Sequence, residues 1–184
     1  MSKKYGVLLL SILLLFETQA QEASVERSIC GIQAGILGFF AYNEMKVSNT
    51  IALRSEAGFK TTNLTIGNPV YSRGNEPFVP LVLNVEPRWY YNIKQRHAKG
   101  LAIDNNSATF LSLMIIYHAG WLMISGKQPS NIEIIPTLAV RYNIGKCFDF
   151  EMGGGCGYQY AFTSAEEEKD YWAFNIVLRI GYVF

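Results

Sequence analysis

Trp172-Ala-Phe-Asn-Ile-Val-Leu-Arg-Ile-Gly-Tyr-Val-Phe184 decides how the rest of the chain is read. Trp172, Phe174, Ile176, Leu178, Ile180, Tyr182 and Phe184 fall on every second position, and Asn175, Arg179 and Gly181 stand between them. Successive side chains of a β-strand point to opposite faces, so one face here is continuously apolar and the other polar. A soluble sandwich would bury the apolar face against a second sheet. A barrel in lipid would turn it outward and enclose the polar face. The apolar face runs unbroken to Phe184, which favours the barrel.

The other end of the chain points the same way. Lys3 and Lys4 precede a continuous apolar run from Gly6 to Phe16, and Thr18-Gln19-Ala20 follows with small residues. That order predicts a secretory signal peptide over residues 1–20, cleaved before Gln21. The run is too short for a membrane-spanning helix, which needs about 20 apolar residues. No cysteine follows it directly, so a lipid anchor is not expected. Residues 21–184 are read as one domain.

Charge narrows the partners. Without Lys3, Lys4 and Glu17, the 16 basic and 15 acidic residues of the chain become 14 of each. Nucleic-acid binding needs a basic excess, so nucleic acid is not expected as a partner. Cys30, Cys147 and Cys156 show no metal-ligand spacing. Cys147 and Cys156 are too far apart along one proposed strand to form a disulfide. Three free thiols and no cofactor are expected.

Alternation recurs along the mature chain and predicts an all-β, closed antiparallel up-and-down barrel of about eight strands. Ile29–Asn43 places Ile32, Ala34, Ile36, Gly38 and Phe40 opposite Gly31, Gln33 and Gly35. Further segments are Thr50–Phe59, Leu81–Tyr91, Thr109 to about Ile124, Ile132–Asn143, Phe148–Phe162 and the closing strand. Single-chain bacterial barrels have an even strand number, and these make seven. The irregular Leu64–Tyr71, with Gly67 and Pro69, is the candidate for the missing strand. On that count Thr50–Phe59 runs the same way as the closing strand, Asn143-Ile-Gly-Lys146 is a tight turn, and Lys94–Lys99 is a solvated turn.

The inferred inner face carries Arg54, Arg88, Arg141 and Arg179 with Glu56, Glu86, Glu133, Asp149 and Glu151. Side chains just fill the interior of an eight-stranded barrel, and buried charges must pair. A lumen closed by ion pairs is therefore expected, with a narrow channel as the alternative. A second alternative is an envelope lipid-modifying enzyme. His118 and Ser112 share a strand face, but six residues separate them by about 20 Å, too far for proton transfer. No catalytic residue, metal ligand or cofactor site is assigned, and the chain is read as not an enzyme. Trp89, Tyr90 and Tyr91 at one end, and Tyr158, Tyr160, Phe162, Tyr171 and Trp172 at the other, fit two interfacial aromatic belts.

Glu86-Pro-Arg-Trp-Tyr-Tyr91, Arg141-Tyr-Asn-Ile-Gly145, the glycine-rich Glu151–Tyr158 and Leu178-Arg-Ile-Gly-Tyr-Val-Phe184 carry a resemblance over nearly the whole mature chain. It resembles the small, eight-stranded, porin-like outer-membrane β-barrel proteins of Gram-negative bacteria, closest to an uncharacterised branch of them. The resemblance implies an outer-membrane location and contact with membrane lipid. It also implies insertion by the barrel assembly machinery, for which Tyr182 and Phe184 resemble the recognised closing signal. It implies no activity, because one fold hosts many functions. A monomer is expected, with loops 61–79, 125–131 and 163–171 as the surface for an extracellular ligand.

Overall fold

The segments with period-two alternation form strands, and each strand finds its neighbour in sequence order. The computed structural model describes residues 23–36, 38–60, 81–119, 130–162 and 171–184. Its strands are β1 (Ser28–Gly35), β2 (Gly38–Lys46), β3 (Ile51–Lys60), β4 (Leu81–Trp89), β5 (Thr109–Ala119), β6 (Asn131–Ile144), β7 (Phe148–Ala161) and β8 (Tyr171–Val183). They form one closed antiparallel barrel in the order β1 to β8, so the fold is an eight-stranded meander. Closure runs between β1 and β8, from Gly31 opposite Val183 to Gly35 opposite Arg179.

The two ends of the barrel differ. At one end, here the closed end, lie the start of β1, the β2–β3 and β6–β7 turns, the end of β8 and the β4–β5 connection. That connection holds a short helix α1 (Ile93–Ala98) and a 3-10 turn (Asp104–Asn106). At the other, here the loop end, β1, β3, β5 and β7 finish and β2, β4, β6 and β8 begin.

Several details differ from the sequence reading. Ile29–Asn43 is two strands, because Gly35 opposes Gly38 across a two-residue link at Ile36 and Leu37. That reversal moves Phe40 to the inner face, where it is buried, while Phe39 is exposed. The eighth strand is therefore this hairpin arm. Leu64–Tyr71 lies outside the described residues, and the ring closes on eight strands without it. With the hairpin counted, β3 runs with β1 and against β8, the reverse of the direction inferred for Thr50–Phe59. β5 is assigned to Ala119, and the remainder of the segment read as reaching Ile124 lies outside the described residues. Lys94–Lys99 is helical over most of its length rather than a simple turn. Tyr90, assigned to the aromatic belt with its neighbours, is fully buried.

Close approach of β6 to β7 depends on glycine. A Cβ at Gly157 would stand 2.0 Å from the carbonyl oxygen of Ile134, and one at Gly155 would stand 2.1 Å from that of Pro136. Both oxygens belong to the backbone of the barrel wall, so neither is the far end of a flexible side chain. Gly157→Ala is expected to destabilise the barrel by about 1–3 kcal/mol through overpacking. A lower urea midpoint of the purified folded protein is the check, and an unchanged midpoint would show that the wall yields there.

The barrel lumen and its two ends as candidate functional site

Strand register decides which charges meet inside. Glu44 on β2 opposes Arg54 on β3, and Arg54 opposes Glu86 on β4. Arg141 on β6 opposes Glu151 on β7, and Glu151 opposes Arg179 on β8. Directly opposite, unlike charges on one sheet face attract. Here that face is also closed on itself, so the pairs converge into one cluster.

Glu151 is the hub. Its Oε1 accepts from Arg141 Nε at 2.7 Å, Arg88 Nη1 at 2.8 Å and Arg54 Nη1 at 3.3 Å. Arg88 Nη2 also donates to Glu86 at 2.8 Å, Arg54 Nε to Glu56 at 3.2 Å, and Arg179 Nη1 to Glu56 at 2.6 Å. Asp149 accepts from Tyr42 Oη at 2.9 Å and from Gln33 Nε2 at 3.1 Å, and lies 3.9 Å from Arg141 Nε. The Arg54 guanidinium stacks 3.7 Å above the Tyr42 ring, and Arg88 lies 4.3 Å above Phe110. The Arg54, Arg141 and Glu151 side chains are all 0 % exposed. Such a cluster is tolerable out of water only when each charge has partners.

Eight of the nine charged residues singled out in the sequence join this network: Arg54, Glu56, Glu86, Arg88, Arg141, Asp149, Glu151 and Arg179. The ninth, Glu133, stands apart toward the loop end, 3.2 Å from His118 Nε2 and 3.9 Å from Lys60 Nζ. On β5 and β6, Met114, Ile116 and Ile135 separate the two groups, in an apolar cluster with Val82, Ala173 and Val177. Ser112 lies on the β5 face that carries His118, opposite Arg88 and Thr137, six residues along the strand from the histidine.

The sequence reading missed Glu44, the second acceptor of the network. Its Oε2 lies 3.1 Å from Arg141 Nη2 and 3.3 Å from Arg88 Nη1. Its Oε1 accepts from Tyr90 Oη at 2.6 Å and Asn106 Nδ2 at 2.7 Å. Those donors come from the β4–β5 connection, which folds across the closed end. Asn105 and Asn106 take left-handed φ of 49° and 59° there, a conformation asparagine tolerates better than most residues. Val25, Ala52, Tyr90, Ile93, Ala108, Phe110 and Ala139 pack as an apolar lid over the charges. A cavity of about 20 Å³ beside Phe40, Glu56, Lys60 and Arg179 has room on the order of one water.

The outer wall is the inverse of the lumen. Ile176 is 71 % exposed and Trp172 70 %, and the other outward positions of β8 are exposed apolar residues too. Trp89 meets Tyr91 edge-on at 6.1 Å at the closed end, and Tyr158 meets Trp172 at 6.0 Å toward the loop end. Tyr160 is exposed beside Phe162. Tyr182 and Phe184 point outward at the closed end, with their rings 5.7 Å apart. The Phe184 amide donates to the carbonyl of Cys30. Cys30, Cys147 and Cys156 are free thiols. No family model, curated protein or solved structure matches this chain.

Proposed function

We propose that this protein is a monomeric barrel of the Gram-negative outer membrane. In this reading its wall has a structural role and its loop-end segments 61–79, 125–131 and 163–171 meet an extracellular ligand. The observation that carries the reading is the inverted polarity of the barrel: guanidinium and carboxylate groups fill the inside, and Ile, Leu, Phe and Trp cover the outside. A water-soluble barrel of this size would gain by the opposite arrangement.

The spacing of the aromatic residues supports it. Trp172 and Tyr182 lie ten positions apart on the outward face of β8. That is about 33 Å of strand, or about 25 Å along the axis at a tilt of roughly 40°, the height of a lipid-facing band. Export through a signal peptide over residues 1–20 and insertion by the barrel assembly machinery through Tyr182 and Phe184 belong to the same proposal. The packed ion pairs argue against a conducting channel. The separation of Ser112 from His118 argues against a lipid-modifying enzyme built on that pair.

Gel mobility with and without boiling tests the embedding. Folded into detergent, the mature protein is expected to resist cold SDS and to migrate differently from its boiled form. Identical migration, together with recovery in the soluble fraction, would replace this reading with an exported soluble β-protein.

A further inference from the structure

Beyond the lumen, a concave feature lies on the outer surface of the closed end. A cavity of about 930 Å³ opens between the arm at residues 23–27 and the segment 97–104. Arg27, Lys46 and His97 line it together with Val25, Leu101 and Ile103. Its volume falls in the range of small-molecule sites.

The closed end is cationic overall, and the cleft itself is lined by Glu26 and Asp104 as well as by Arg27 and Lys46. Among the described residues, the closed end carries Arg27, Lys46, Lys94, Arg96, Lys99 and Lys146 against Glu26 and Asp104. Glu26 Oε1 accepts from the Asn105 amide at 2.7 Å, which fixes this carboxylate in position and leaves it charged. The loop-end segments read the other way in sequence, with Arg73, Lys127 and Lys169 against Glu76, Glu166, Glu167, Glu168 and Asp170. A cleft with walls of low dielectric concentrates the field of the charges that line it.

Of the cationic side chains in the cleft, Lys46 alone is tethered, and among the described residues neither it nor Arg27 has an ion-pair partner. The backbone amide of Lys46 donates to the carbonyl of Arg27 at 3.0 Å, which sets these two cations side by side across the strand edge. Lys46 Nζ donates to Ser24 Oγ at 2.6 Å. Arg27 and His97 are exposed, and among the described residues their side chains have no hydrogen-bond or ion-pair partner. A guanidinium, an ammonium and an imidazole around one cleft match a group with several acceptor oxygens better than a single carboxylate. Leu101, half exposed, and Ile103 offer an apolar wall beside them.

We propose that this cleft binds a phosphate-bearing amphiphile, with the phosphate on Arg27, Lys46 and His97 and the apolar portion on Leu101 and Ile103. The site stands on the closed-end geometry alone and does not depend on the membrane reading.

The test uses the full mature protein folded in a nonionic detergent, with folding verified by the dispersion of its backbone amide NMR shifts. Backbone amide NMR shifts are followed during titration with dihexanoyl phosphatidylglycerol below its micelle concentration, with dihexanoyl phosphatidylcholine, and with inorganic phosphate. Phosphatidylglycerol is expected to saturate shifts at Arg27, Lys46, His97 and Leu101, with affinity at least tenfold above phosphatidylcholine. Inorganic phosphate saturating the same amides as tightly would keep the phosphate site and assign its source as the free ion. Arg27→Gln with Lys46→Gln should weaken binding at least tenfold and leave the amide dispersion of the rest of the barrel intact. Absence of saturable shifts with both anionic probes, equal binding of phosphatidylcholine, or unchanged affinity in the double variant would overturn the proposal.

Discussion

Replacing Glu151 with alanine is expected to lower the stability of the folded barrel by about 3–5 kcal/mol, the usual cost of removing one partner from a buried ion pair. The substitution leaves Arg54, Arg88 and Arg141 facing one another, since all three donate to this carboxylate. Glu44 would then be the carboxylate shared by all three, at 3.1–3.9 Å, while Glu56, Glu86 and Asp149 would each stay beside one of them. Glu151→Gln keeps the volume and one acceptor and removes the charge, so its loss should be intermediate. Glu133→Ala supplies a contrast: its partners Lys60 and His118 belong to a separate cluster at the loop end, and Lys60 keeps 11 % of its side chain exposed. Its effect should be smaller than that of Glu151→Ala. Urea midpoints followed by tryptophan fluorescence give the ranking. Equal midpoints for wild type and Glu151→Ala would mean that water enters the lumen freely enough to solvate three arginines, and the closed-lumen description would fail with it.

The legible parts of this fold were those where period-two alternation runs long. β6, β7 and β8 each carry 13 or 14 residues with mostly apolar outward positions, although Ile135, Ala173 and Val177 also turn apolar side chains inward. The inner face of β3 and β4 was read just as directly, because Arg54, Glu56, Glu86 and Arg88 alternate with apolar residues. The β1–β2 hairpin was hidden because its link, Ile36-Leu37, has neither the Asn-Gly nor the Asp-Gly pair that marks a two-residue turn. Reading through it shifts the phase of the β2 half of Ile29–Asn43. A slip of one residue moves a strand's whole side-chain set to the other face, and that slip concealed Phe40 and Tyr42 from the inner list, while Glu44 lies just past the Asn43 end of that segment. The lid over the closed end was out of reach for another reason. A six-residue helix is too short to show a period, and Asn106 meets Glu44 across 62 residues of sequence. Such a contact becomes visible only when register has fixed which strands surround the connection.

Leu138→Arg distinguishes a wall solvated by lipid from one solvated by water. Leu138 lies near the middle of β6, points outward and is 51 % exposed. Its register neighbours are Leu111 on β5 and Gly154 on β7, so an arginine there finds no carboxylate directly opposite it. In a bilayer, an arginine near the midplane of a barrel wall costs about 2–4 kcal/mol. On a water-exposed surface the same change usually stays within about 0.5 kcal/mol. Tyr142→Arg supplies the depth control, because Tyr142 is also outward and exposed but lies two residues from the closed end of the same strand. Near an interface the penalty for arginine falls to about 0–1 kcal/mol. Unfolding in phosphatidylcholine vesicles should therefore rank Leu138→Arg well below Tyr142→Arg in stability. This graded pattern is what separates the two solvents, because loss of packing alone does not depend on distance from the closed end. If both variants kept the wild-type midpoint, the outward apolar face would not be in contact with lipid, and the membrane reading of the barrel would have to be abandoned.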